Sequence, residues 1–194
     1  MAKLTQDSLV TLETYARARN TFRAEVMAHK KSRRVALGDN VTLIFEDEKT
    51  VRYQVQEMLR AEKIFDEAGI QNELDAYNPL IPDGSNWKVT MMIEYEDVAE
   101  RRRMLTRLVG IENRVWVKIA GFERVFAVAD EDLERATGQK TSAVHFLRIE
   151  LTSGMTGALK QGAELSMGVD HPFCQAALDP VPLAVRASLL RDLQ

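Results

Sequence analysis

Apolar residues recur at helical spacing in two long stretches of the chain. At about 100° per residue, one stripe in the second stretch holds Val51, Val55, Met58, Leu59 and Phe65. The first stretch, residues 8–30, repeats the pattern with Leu9, Leu12, Ala16, Phe22 and Val26. The pattern therefore predicts a long N-terminal helix and a second long helix whose apolar positions pack on a core.

Alternating apolar and polar residues mark the strands. The alternation is clearest over residues 88–95 and 142–151, and shorter strands are predicted at 41–45, 114–119, 124–129 and 165–169. A short helical turn is predicted at 130–137. Because hairpin connections dominate the second half, the order of elements predicts an α+β fold with a mixed, largely antiparallel sheet and helices packed on it. We expect a single domain over residues 1–194, with residues 5–34 as a helical N-terminal appendage.

Composition narrows the class of protein. The 194 residues are 45% hydrophobic and 28% charged, which are globular values, and the net charge of −3 argues against nucleic acid as a general partner. Cys174 is the single cysteine, so an intrachain disulfide is excluded and a reducing compartment is favoured. The N-terminal residues lack an apolar signal region, and no apolar run is long enough to span a membrane. A cytoplasmic location is expected.

Two carboxylates stand where the helical pattern calls for apolar residues. Glu62 falls within the stripe of the second helix, and Asp66 lies beside it one turn later. A buried charge must be paired or hydrogen-bonded. Either both acids lie at the stripe's edge or bond an arginine or backbone amide, or they form a proton-handling or metal-binding pair.

The histidines add a further candidate group. His145 lies on the apolar face of its predicted strand, where a histidine is usually a core residue with a satisfied ring nitrogen. If it meets Glu62 and Asp66, the three side chains form a cluster of a type that binds iron, manganese or zinc. Further candidates for such a site are Glu57, Arg60, Tyr77 and His171.

His171 also allows two interpretations. It is predicted to be exposed after Asp170 at the end of a strand, or to act with Cys174 as a thiolate-tuning or metal-binding pair. No nucleotide-binding fingerprint or catalytic triad is present in the sequence, and no cofactor is predicted apart from the iron or manganese alternative.

The C-terminal half of the first helix is basic, with Arg17, Arg19, Arg23, Lys30, Lys31, Arg33 and Arg34. These cations either form a solvated face paired with the acidic residues between Glu46 and Asp75, or bind an acidic partner. RNA binding is a third, less favoured alternative, because few aromatic residues are interleaved with the cations. The single apolar stripe on this long helix also suits packing on a second copy of the chain.

Five motifs in order resemble an uncharacterised bacterial family of unknown function. The resemblance extends from about Leu4 to the C-terminal helix, and its motifs are Gln54–Glu62, Tyr77–Pro82, Met92–Tyr95, His145–Arg148 and Asp170–Pro172. Genes of that family tend to lie beside rubrerythrin and an iron–sulfur oxidoreductase. The resemblance implies a role in a redox or peroxide-stress system, and it assigns no site residues.

These observations favour an accessory or partner-binding protein, acting with a protein partner or as a homo-oligomer such as a homodimer. The alternative is a small metal-binding protein or enzyme that uses a carboxylate and histidine cluster. Whether the chain is an enzyme stays open at the level of sequence.

Overall fold

The computed structural model describes residues 2–131, 133 and 135–194. Its helices are α1 (Leu12–Lys31), α2 (Glu48–Glu62), α3 (Glu67–Tyr77), α4 (Val98–Arg107), α5 (Ser153–Lys160) and α6 (Leu183–Leu189). Its strands are β1 (Arg34–Leu37), β2 (Val41–Glu46), β3 (Asn86–Ile93), β4 (Val115–Ile119), β5 (Val125–Phe126), β6 (Val128–Ala129), β7 (Val144–Glu150), β8 (Leu165–His171) and β9 (Cys174–Leu178). The predicted α+β class and the long N-terminal helix are confirmed.

The strands form two antiparallel sheets that share one segment of chain. The first sheet has the order β1-β2-β3-β7-β6, and the second has the order β5-β4-β8-β9. Residues 125–129 join them, because β5 pairs with β4 and β6 pairs with β7. Between these two short strands, the Ala127 amide donates a hydrogen bond to the Val115 carbonyl oxygen. The single sheet expected from the sequence is therefore two sheets with a common strand segment.

Alternation along the strands decides which side chains reach the core between the sheets. In β3, Trp87, Val89, Met91 and Ile93 are buried in that core, as the pattern predicts. The intervening residues Lys88, Thr90 and Met92 are half-buried on the outer side of the first sheet, where Lys88 lies near α2 and α3. A second, smaller apolar cluster lies among those helices and contains Leu4, Val51, Val55, Leu59, Leu74 and Ile81.

Helix α2 contacts α1, α3 and β2, so the prediction that it packs on more than one side is confirmed. It ends earlier than the apolar pattern suggests. Lys63 adopts a left-handed conformation with φ of 58°, and Asp66 starts α3 by accepting a hydrogen bond from the Gly69 amide. Phe65 is 80% exposed, so its predicted place in the buried stripe is wrong. The N-cap preference of aspartate competes with continuation of the helix at this point.

The predicted helical turn at 130–137 includes residues 132 and 134, which lie outside the described residues. The described residues of that stretch are not helical. Strands β1 and β9 are absent from the sequence prediction, and the α1 helix ends at Lys31, three residues before the predicted end of the appendage.

Candidate functional site

The structure does not bring Glu62, Asp66 and His145 together. Glu62 is the last residue of α2 and is exposed, and Asp66 is the exposed N-cap residue of α3. His145 is fully buried in β7, where its carboxylate neighbours are Asp130 and Glu112. Glu62 is exposed although helical angles place it on the apolar stripe, so its position does not favour the alternative of a buried proton-handling or metal-binding pair. A stripe is buried only along the part of a helix that neighbouring elements cover, and Glu62 lies beyond that part.

Another candidate, Glu57, joins α2 to α1. The Glu57 carboxylate accepts hydrogen bonds from the Tyr15 hydroxyl and from Nε and Nη2 of Arg19, each at 2.7 Å. The hydrogen bonds from Arg19 are the main reason why the pKa of Glu57 falls to about 2. Arg60 Nε lies 3.8 Å from the same carboxylate. Glu57 therefore serves the contact between the two helices, and Arg60 pairs with it within α2.

His171 is buried, which contradicts the prediction that it is exposed. Strand β8 continues to His171, whose Nδ1 accepts a hydrogen bond from the Phe173 amide while Nε2 donates to the Val109 carbonyl oxygen, both at 3.2 Å. Cys174 pairs with it across the β8–β9 ladder, and burial raises the pKa of the Cys174 thiol. The environment therefore favours the thiol and gives no support for a tuned thiolate.

His145 belongs to a closed group of buried polar side chains. Its Nδ1 lies 2.5 Å from Asp130 Oδ2, and its Nε2 lies 2.8 Å from Thr141 Oγ1 and 3.1 Å from the Ser142 carbonyl oxygen. Thr141 in turn donates to Glu112 at 3.3 Å. Both ring nitrogens are engaged, so neither is free for a metal. Across the described residues, no group of three His, Cys, Asp or Glu side chains is placed to hold a metal ion.

Tyr77 is the one predicted candidate that lines a sizeable cleft. We call this cleft of about 460 Å³ the Lys88 cleft; it lies between the end of α3 and the outer faces of β3 and β7. Its apolar lining comes from Ala76, Pro79, Leu80, Phe146 and Leu147, and its polar lining comes from Gln54, Tyr77, Lys88, Glu131 and Arg148. The volume lies in the range of about 300–1,000 Å³ that is usual for small-molecule sites.

The cations of the cleft differ in how they are paired. Arg148 donates to both carboxylate oxygens of Glu131 at 2.8 and 2.9 Å, and to Glu150 at 2.6 Å. Lys88 lies opposite Arg148 in the β3–β7 ladder and is half-buried. Among the residues that the structure describes, none forms a hydrogen bond or ion pair with the Lys88 amine.

This setting shifts the pKa values of Lys88 and Tyr77 in opposite directions. Burial, followed by the positive charge of Arg148, lowers the pKa of Lys88. Burial is also the main cause of the raised pKa of Tyr77. An unpaired, partly desolvated amine in a largely apolar cleft is a combination that marks candidate functional sites.

The sequence did not single out Lys88. In the alternating pattern it occupies the polar face of a strand, where a lysine is ordinarily solvated. Only the placement of α3 and its following turn beside β3 covers that face and leaves the lysine in a cleft. The sequence points to this cleft only indirectly. Two of the motifs that carry the family resemblance, Tyr77–Pro82 and His145–Arg148, both contribute residues to its lining.

None of the helices in the described part of the chain is both long and apolar enough to cross a membrane. A family model described as a protein of unknown function (DUF3501) matches residues 3–193. The chain is also similar to a crystal structure from Burkholderia pseudomallei K96243, described as a novel protein of unknown function. The two are 56% identical with a TM-score of 0.95, and the match covers 100% of both chains. No curated protein matches the chain significantly.

Proposed function

We propose, from the premise that the chain belongs to the DUF3501 family of proteins of unknown function, that it is a ligand-binding protein whose binding site is the Lys88 cleft. The observation that carries the proposal is the cleft itself, in which a largely apolar lining surrounds one half-buried amine without a partner among the described residues. Such a cleft suits a small, mostly apolar ligand with one polar group.

Filling the cleft should block this binding. Ala76 is exposed near the end of α3 and lines the cleft, so Ala76→Trp places an indole in it without disturbing the core. We expect the variant to bind anilinonaphthalene sulfonate, a dye with apolar rings and one sulfonate group, at least about tenfold more weakly, a loss of about 1.4 kcal/mol of binding free energy. Fluorescence titration measures the effect.

The matched control is Ala68→Trp. Ala68 is exposed on the same helix and lies outside the cleft lining, so this variant should bind the dye as the unaltered protein does. Equal affinity of both variants and the unaltered protein would show that the dye binds elsewhere and would remove the support for the cleft as a binding site.

The family resemblance favours a setting for this binding. We propose that the protein is an accessory protein of a redox or peroxide-stress system in the cytoplasm, acting with a protein partner or a second copy of itself. Affinity purification of the tagged protein from cells, followed by mass spectrometry, tests this role. Recovery of a redox enzyme that is retained by Ala68→Trp supports the role, whereas recovery of neither a redox enzyme nor a self-associated form contradicts it.

A further inference from the structure

We propose that the amine of Lys88 captures a small carbonyl compound with an apolar group as a reversible imine. This inference rests on the proposed function, because it names the chemistry by which the Lys88 cleft holds its ligand. It concerns a class of ligand, aldehydes or ketones with an aromatic or branched apolar part, and one reacting atom, Nζ of Lys88.

The surroundings of Lys88 favour this chemistry over ion pairing. An ordinary lysine next to carboxylates forms an ion pair, as Lys49 does with Glu25 at 3.4 Å. Glu131 is the acid that lines the same cleft, and it accepts two hydrogen bonds from Arg148 instead of pairing with Lys88. The Lys88 amine thus lies near the Arg148 cation and forms no ion pair with a carboxylate of the described residues. The negative charges of Glu131, Asp83 and Glu150 raise its pKa, but by less than burial and Arg148 lower it.

A lysine that is desolvated in an apolar pocket or placed next to another cation is the arrangement that activates an amine as a nucleophile. Both conditions apply to Lys88, since burial and then Arg148 lower its pKa. The neutral form of the amine is therefore more populated at neutral pH than in a solvated lysine. The apolar wall formed by Pro79, Leu80 and Phe146 can receive the hydrocarbon part of the ligand.

The reaction is balanced without a further reagent. The lone pair on Nζ forms a bond to the carbonyl carbon as the C=O π bond breaks, which gives a carbinolamine. Transfer of both amine protons to the oxygen releases one molecule of water and leaves the C=N bond. The reaction is a condensation without oxidation or reduction, and water reverses it.

Reductive trapping with a defined probe tests the inference. The folded protein is incubated at neutral pH with benzaldehyde and sodium cyanoborohydride, which reduces an imine to a stable secondary amine, and the benzylated lysines are identified by peptide mass spectrometry. Lys88 should be modified in clear excess over Lys118, an exposed lysine of β4. Equal modification of the two lysines would overturn the inference.

Three further measurements separate a cleft effect from general reactivity. Benzyl alcohol, which has the same ring but no carbonyl group, should slow modification of Lys88 in the unaltered protein and leave Lys118 unchanged. Ala76→Trp should have the same selective effect. In Arg148→Gln, loss of the neighbouring cation raises the pKa of Lys88, so the pH dependence of its modification should move to higher pH. Absence of all three effects contradicts the inference.

The outcomes also distinguish this inference from the proposed function. If Ala76→Trp abolishes dye binding but Lys88 is modified no faster than Lys118, the cleft binds ligands without forming an imine. If Ala76→Trp leaves both dye binding and Lys88 modification unchanged, the proposed binding site itself is wrong.

Discussion

Replacing Arg33 with methionine is expected to lower the free energy of unfolding by about 3–5 kcal/mol at neutral pH, since it removes one partner from a buried ion pair. Arg33 is only 1% exposed. Its Nε donates to the Phe45 carbonyl oxygen at 2.8 Å, and its Nη2 donates to the Glu46 carbonyl oxygen at 3.0 Å and contacts Asp192. The substitution leaves the Asp192 carboxylate buried without its cation.

The size of this loss should depend on pH. Burial raises the pKa of Asp192 to about 6 in the folded protein, against the opposing effect of Arg33. Because the folded-state pKa is above the ordinary value, the contribution of this group to stability decreases as the pH rises through about 6. Without Arg33 the pKa rises further, so the variant avoids a buried charge by binding a proton. The difference between the two proteins should therefore be largest at neutral pH and smaller at about pH 5.

Arg34→Met is the matched control at the adjacent position. The Arg34 side chain is 56% exposed, and it reaches Thr42 and Glu94 only at 3.3 and 3.4 Å. A contact of this kind contributes at most about 1 kcal/mol. Urea unfolding of the two variants at neutral and acidic pH measures both effects. If Arg33→Met and Arg34→Met lowered the free energy of unfolding by similar amounts, the buried Arg33–Asp192 pair would not have the stabilising role inferred for it.

The second large effect is expected from Gly168→Ala in β8. A Cβ atom at this position would lie 2.5 Å from Cζ2 of Trp116 and 2.6 Å from the backbone oxygen of Ala176. Trp116 is itself covered by the Arg124 guanidinium at 4.1 Å from its ring, and the backbone oxygen cannot move without distorting the β8–β9 ladder. Overpacking of this kind should lower the free energy of unfolding by about 3 kcal/mol.

Gly157→Ala provides the comparison for the same chemical change. Gly157 lies inside α5, and a Cβ atom there would have no neighbour within 4 Å. Because alanine favours helix more than glycine does, the free energy of unfolding should increase by up to about 1 kcal/mol. Thermal and urea unfolding give the two values. If Gly168→Ala proved neutral, the close approach of Trp116 to the strand would not be the constraint that the structure indicates.

Strand alternation was the most reliable information in the sequence. It identified the buried faces of β3 and β7 because each strand has one face against a core and one face outward, which fixes a period of two. Strand β1 is only four residues long, and β9 alternates half-buried and exposed positions without any fully buried residue, so neither gives a strong hydrophobic signal in the sequence. The sharing of residues 125–129 between two sheets depends on three-dimensional pairing, which the pattern within a strand does not encode.

The candidate site was less predictable, for a different physical reason. Helical angles place Glu62 on the apolar stripe of α2 but do not indicate where its covering neighbours end. Conversely, Lys88 occupies a position that the alternation assigns to solvent, and α3 with its following turn makes that position part of a cleft. Burial at these positions depends on how elements far apart in sequence pack together, and local patterns carry little information about it.

The segment 125–129 has a consequence for how this protein opens. Since it is hydrogen-bonded to β4 in one sheet and to β7 in the other, its release removes ladder bonds from both sheets in one event. We therefore expect hydrogen exchange to show the amides of β4 and β7 that pair with this segment opening together. Residues 125–129 thus couple the opening of the strand that bears Phe146 and Arg148 to the opening of the opposite sheet.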